Sequence, residues 1–140
     1  MGTCTAKPTD CTGVLAAPVC GCDGVTYHDA CLLHSNRQNG LAAQPAGGVC
    51  GKALAGTVTC TAFDSTACTA KNGVCSNKDD SCGGPPSVSN VGVCWVIPDT
   101  CPAADPKPAM MCSGENTCRS ECAVLKAKVR YVLSDSCTAG

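Results

Sequence analysis

The sequence predicts a small disulfide-rich α+β protein: two related cysteine-stapled units, each with short antiparallel strands and one short helix, and a cysteine-rich loop segment between them. Three observations predict it. Sixteen of the 140 residues are Cys, above the ~8–10% that marks a disulfide scaffold. Large apolar residues are scarce, with Leu, Ile, Val and Phe together numbering 22 beside a single Trp, so a large core is not there to offset the ordering entropy of the chain. The cysteines fall into groups of six, four and six. The first and last groups share an order: two Cys, a Pro-containing loop, a third Cys, a turn, a helix with a Cys in its first turn, and a closing Cys.

The even count fits complete pairing, and disulfides contribute ~2–4 kcal/mol each, mainly by restricting the unfolded chain. Zinc sites present paired C-x2-C units. This chain has one C-x-C (Cys20, Cys22) and one C-x3-C (Cys118, Cys122), with long irregular spacings elsewhere, so neither a metal site nor a cofactor is expected. Persistent disulfides imply an oxidising compartment, so the protein is expected to be secreted, extracellular or periplasmic. Met1-Gly2-Thr3 leads straight to Cys4 without a signal-peptide pattern, which reads as a mature start with an added Met. Ten Lys and Arg are scattered among eleven acids, for a net charge of -1; this argues against a nucleic-acid partner. No apolar run approaches the ~20 residues of a membrane span.

Along the chain, residues 1–52 hold Cys4, Cys11, Cys20, Cys22, Cys31 and Cys50. Val25-Thr26-Tyr27 reads as a strand. Asp29 to Gln38 reads as a helix, with Ala30, Cys31 and Leu33 near one face and Asn39-Gly40 as its stop. Residues 53–93 form the middle segment. Gly51 to Thr59 is a linker or short connecting strand, and Cys60, Cys68, Cys75 and Cys82 stand seven or eight apart among Gly, Asn, Ser and Asp, which is loop chemistry. Gly83-Gly84-Pro85-Pro86 punctuates it. Residues 94–140 hold Cys94, Cys101, Cys112, Cys118, Cys122 and Cys137. Short strands are expected at Val91–Val93 and Trp95–Ile97, and Phe63 and Trp95 read as local anchors. Ser120 to Arg130 reads as the better helix: Ser120 caps it, Glu121 suits the first turn, Cys122, Leu125 and Val129 form a stripe, and Lys126, Lys128 and Arg130 gather near its end. Tyr131-Val132-Leu133 follows as a strand.

The run Pro18-Val19-Cys20-Gly21-Cys22-Asp23-Gly24-Val25-Thr26-Tyr27, followed by His28-Asp29-Ala30-Cys31 and closed by Gly48-Val49-Cys50, resembles a Kazal domain across residues 4–50. Two departures stand out. The family's Cys within the helix is absent, with Leu32-Leu33-His34 in that turn, and Cys22 replaces a usual Ser or Thr. The resemblance therefore implies Cys11–Cys31 and Cys20–Cys50, with a relocated bridge Cys4–Cys22. Residues 94–137 are similar to the same frame more distantly, which implies Cys94–Cys118, Cys101–Cys122 and Cys112–Cys137.

What the resemblance implies is a serine-protease inhibitor that presents a substrate-like loop. In the first unit the loop is Thr12, Gly13, Val14 and Leu15, running on to Pro18. By the family's offset Gly13 takes the primary pocket; if the loop is one residue longer, Val14 does. Neither is basic, so the implied partner is an extracellular elastase- or subtilisin-like serine protease with a small apolar pocket. The second loop candidate is Pro102, Ala103 and Ala104. Family inhibitors often place a bracing Asn two residues after the Tyr; here it is Asp29, which accepts but cannot donate. The competing class is a structural or adhesive extracellular module, binding copies of itself or surface partners, because a fold carries many functions. An enzyme is not expected. His28 and His34 are the only histidines, His28 reads as an exposed turn residue, and no Ser-His-acid motif or phosphate loop is present.

Overall fold

The computed structural model describes residues 11, 13–51, 53–61, 66–70, 72–76, 91–112, 117–134 and 137. Cys4, Thr12, Phe63, Cys82 and the Gly83–Pro86 punctuation lie outside them. Eight short strands, two α-helices and a single 3-10 turn (Ala46–Gly48) make up the described regular structure: β1 (Val19–Cys20), β2 (Thr26–Tyr27), α1 (Ala30–Ser35), β3 (Thr59–Thr61), β4 (Gly73–Cys75), β5 (Val91–Val96), β6 (Ala109–Met111), β7 (Cys118–Arg119), α2 (Glu121–Ala127) and β8 (Tyr131–Leu133). None of the described helices is long and apolar enough to cross a membrane.

The first unit is built around its Asp-Gly-x-Thr-Tyr run. The Asp23 carboxylate accepts from the Val25 N–H at 3.3 Å and from the Tyr27 hydroxyl at 2.7 Å, which closes the turn between β1 and β2. Burial and then Asp23 hold the Tyr27 phenol well above its usual pKa, so it stays a donor. Thr26 Oγ1 accepts from the Cys50 N–H at 2.9 Å and ties the closing cysteine to β2. β1 pairs antiparallel with β2, and a third strand is reduced to a bridge between Gly21 and Gly40.

The C-terminal unit repeats that order. β6 pairs antiparallel with β7 and with β8, and α2 stands between β7 and β8 in the chain. In both units a Cys occupies the second helical residue and bonds to the Cys ahead of the Pro-containing loop: Cys11–Cys31 and Cys101–Cys122. At six and seven residues, these helices fall far short of the ~12–15 that an isolated helix needs. Caps and cross-links compensate. Asp29 Oδ1 accepts from the Leu32 N–H at 2.9 Å, and Ser120 Oγ from the Ala123 N–H at 3.1 Å. Both helices end earlier than Gln38 and Arg130. Asn36 caps α1 and Arg37 then turns to φ 59°, while Lys128 caps α2 at φ 56°.

β5 joins everything. It pairs with β3 and β4 antiparallel and with β2 parallel, in the register Thr26↔Trp95 and Tyr27↔Val96. The middle cysteines are therefore not all in loops: Cys60 lies on β3 and Cys75 on β4. Side chains alternate along a strand. Val93, Trp95 and Ile97 pack with Ala109, Val124, Leu125 and Tyr131 of the C-terminal unit. Val96 packs with Tyr27 and Leu33 of the first unit, and Cys94 with Cys60, Cys68 and Cys75. The strand also runs across position 93, where the sequence reading ends the middle segment.

The cross-links differ in part from those the resemblance implies. Cys20–Cys50 is present and fully buried. Cys94 bonds to Cys68 instead of Cys118, because its place on β5 opposite Cys75 turns it into the middle cystine cluster, where Cys60–Cys75 also closes. Cys118 bonds to Cys137, so Cys112–Cys137 does not form. Cys112 is disulfide-bonded, though to none of the other described cysteines. Cys22 carries a free thiol, so the relocated bridge Cys4–Cys22 is not made; the exposed Sγ lies 3.5 Å from the Gly40 carbonyl oxygen, toward the neighbouring chain segment.

Candidate functional site

The first loop leaves Cys11, whose bridge to Cys31 fixes it to α1, and re-enters the sheet at β1 beside the buried Cys20–Cys50 bridge. Gly13 adopts φ +79°, and the Val14 N–H reaches the Cys11 carbonyl at 3.4 Å. An L side chain rarely takes that conformation, and it lies outside the extended region a strand-like contact requires. Gly13 therefore makes the turn and does not extend into a pocket. Val14 and Leu15 follow, 36% and 48% exposed, two of the few large apolar side chains facing solvent among the described residues.

Beyond them the backbone is held. The Ala16 N–H donates to Asp105 Oδ1 at 2.7 Å, and the Ala17 N–H to the His28 carbonyl at 2.9 Å. At the loop's end, a Cβ on Gly48 (φ +76°) would collide with the Pro18 carbonyl, so only glycine lets the chain close behind the loop.

Behind the loop sits His28, which is buried and not the exposed turn residue expected from sequence. Its Nδ1 lies 2.6 Å from Asp29 Oδ2 and its Nε2 2.7 Å from Asp105 Oδ2. A carboxylate oxygen on each ring nitrogen favours the protonated ring, an imidazolium that donates from both. Burial works against that charge, but the hydrogen bonds and charges of Asp29 and Asp105 outweigh it and raise the His28 pKa above its usual value. Asp29 thus serves two partners, the imidazolium through Oδ2 and the first turn of α1 through Oδ1.

Asp105 comes from the second loop candidate. Pro102, Ala103 and Ala104 do not form an extended presenting loop. They sit on a tight turn in which the Asp105 N–H donates to the Pro102 carbonyl at 3.2 Å and Lys107 Nζ donates to the Ala103 carbonyl at 2.8 Å. Ala103 and Ala104 are exposed on the turn while Asp105 is buried beneath it. Prolines at 102, 106 and 108 restrict φ and remove donors, which favours a kinked path over a regular strand.

Sequence reasoning missed His28 and Asp105 as partners because 77 residues separate them. Asp105 was legible only as the one acid in a Pro- and Ala-rich loop. Among the described residues, three places gather His, Cys and Asp ligand atoms within 4.8 Å: Cys60, Cys68 and Cys94; Cys11, Asp29 and Cys31; and His28, Asp105 and Cys122. Every cysteine in them is disulfide-bonded and offers no thiolate.

The fold and the loop together define a class, a small cystine-stapled module that presents a pre-shaped apolar loop at its surface. Residues 6–50 match the family model of the Kazal-type serine protease inhibitor domain. No curated protein and no solved structure matches the chain.

Proposed function

We propose that the protein inhibits serine proteases of the elastase or subtilisin type outside the cytoplasm, with Val14 entering a small apolar pocket and Leu15 contacting the site just beyond it. The observation that carries this reading is the exposed Val14-Leu15 pair on a backbone tied at Cys11 before it and at Ala16 and Ala17 after it. A loop held in its bound shape loses little conformational freedom on association, which is where rigid inhibitors gain affinity. Backbone contacts of the strand-addition kind supply the general attraction, and one side chain in the pocket supplies selectivity. No Lys or Arg lies between Cys11 and Pro18, so a pocket that reads a basic side chain finds no partner here. Inhibition of this kind uses no group of the chain as a catalyst.

The test is a titration of elastase-, subtilisin-, chymotrypsin- and trypsin-like proteases with the oxidised full chain. The expected result is stoichiometric loss of elastase- or subtilisin-like activity with trypsin-like activity intact. If every protease in the panel keeps its activity at molar excess, the reading fails.

A further inference from the structure

We propose that Asp105, a residue of the C-terminal unit, is the positioning residue of the loop that the first unit presents. This rests on the inhibitor reading for its consequence but not for its geometry. Family inhibitors brace such a loop with an Asn in the same domain, and Asp29 at that position cannot donate. Here the holding groups are different. One carboxylate oxygen of Asp105 accepts the Ala16 N–H across 89 residues of sequence, and the other accepts Nε2 of His28. His28 in turn accepts the Ala17 N–H on its own carbonyl. Two successive loop amides are thus fixed by two residues that are bonded to each other.

The burial of this arrangement supports a positioning role. A carboxylate serving only its own surface turn has no reason to leave water, and an ion buried without partners is costly. Asp105 is 2% exposed, and both of its oxygens are engaged. Asp29 faces the other ring nitrogen. Lys107 reaches only backbone carbonyls, those of Ala103 and Asp105, and the neighbouring Cys122 sulfur is locked in a disulfide. The ring therefore sits between two carboxylates with, among the described residues, no competing side-chain cation in the hydrogen bonding around it. Turning the second loop inward removes it from service as a presenting loop and converts it into the support of the first. The rigidity of the Val14-Leu15 segment then belongs to the whole chain and not to residues 6–50 alone.

The experiment measures amide hydrogen exchange by NMR on the full chain and on Asp105→Ala, Asp105→Asn and His28→Gln, with elastase- or subtilisin-like inhibition followed in parallel. A hydrogen bond to an ionised acceptor is worth roughly one to two decades of protection. Asp105→Ala is expected to lower the protection of Ala16 about ten- to hundredfold while the Leu33 amide of α1 keeps its own. The same variant is expected to dissociate faster from the protease and to be cut sooner between residues 13 and 17. Asp105→Asn keeps an acceptor near Ala16 and is expected to lose less; it decides the matter if the alanine variant does not fold. In the unmodified chain Ala16 protection is expected to decline as pH rises through the raised His28 pKa, and in His28→Gln that dependence disappears. Unchanged Ala16 protection in both Asp105 variants, or equal losses at Ala16 and Leu33, overturns the proposal. If the unmodified chain inhibits nothing while the exchange results hold, the inhibitor reading fails and the brace stands.

Discussion

The two units follow the same chain order, yet their Pro-containing loops have opposite fates. In the first, the residues after Cys11 run outward, with Val14 and Leu15 in solvent. In the second, the residues after Cys101 fold into a turn that sends Asp105 inward to the first unit. The cross-links mirror this divergence. Both units keep the bridge from the loop base to the second residue of the helix, but the closing cysteine bonds to Cys20 of β1 in one and to Cys118 of β7 in the other. The same order of strands and helix thus accommodates an outward loop in one unit and an inward one in the other, and a few residues in one loop are enough to separate them.

Variants can break or sharpen this contrast. The largest effect is expected at the bridges. Replacing Cys20 and Cys50 together with Ser removes a fully buried cross-link and should cost about 2–5 kcal/mol in denaturant unfolding. The Cys101–Cys122 pair replaced in the same way should lower global stability and also release Ala16, because that bridge anchors the chain just ahead of the Asp105 turn. Loss of stability in the C-terminal pair with Ala16 exchange unchanged would separate the two units after all.

Next come the caps. Ser120→Ala should cost about 1 kcal/mol, the usual worth of an N-cap hydroxyl. Asp29→Ala should cost more, since it removes a cap and also one of the two carboxylates that hold the buried imidazolium. Equal losses at the two caps, read from chemical denaturation, would mean that the His28 cluster adds nothing in the first unit.

The pH dependence is smaller and has a definite sign. The folded-state pKa of His28 is raised above the unfolded value of about 6.5. Its stabilising contribution is therefore fully present below about pH 6.5 and is lost as pH rises through the folded value. The urea midpoint should drop across that window in the unmodified chain and lose the His28 component of that drop in His28→Gln. The smallest stability effect is expected at Leu15→Asp, within about 0.5 kcal/mol, because the side chain is exposed. Inhibition of an elastase-like protease should nevertheless weaken at least tenfold, as a charge enters an apolar contact. Unaltered inhibition would move the contact away from this loop.

Much of the fold was legible where the cause is local. The turn after Cys20, the cap Ser120 and the helices beside Asp29 and Ser120 are set by neighbours a few residues away, so the sequence pattern marks them, although Asp29 caps its helix and does not begin it. The helix ends were less legible, because Arg37 and Lys128 take left-handed conformations that their types do not announce. β3 and β4 were illegible for a different reason. Three residues each, Thr-Cys-Thr and Gly-Val-Cys, are too short to show a strand pattern of their own and become strands by pairing with β5. The candidate loop was readable as an apolar, non-basic segment. What holds it was not, since neither the burial of His28 nor the reach of Asp105 has a signature in spacing.

The central place of β5 also orders the protein in time. The six bridges with both ends described close within residues 11–50, 60–94 or 101–137, spanning 15 to 30 residues each. The pairing of Thr26 with Trp95, in contrast, joins the first stretch to a strand synthesised long after it. Closing these six bridges is thus a set of short-range problems, while assembly on β5 is a long-range one that waits for the chain to emerge and is slow for that reason. In a chain that oxidises as it emerges, the early cysteines close before β5 exists, and the first unit then passes through a cross-linked stage in which Val14 and Leu15 are exposed but not yet held.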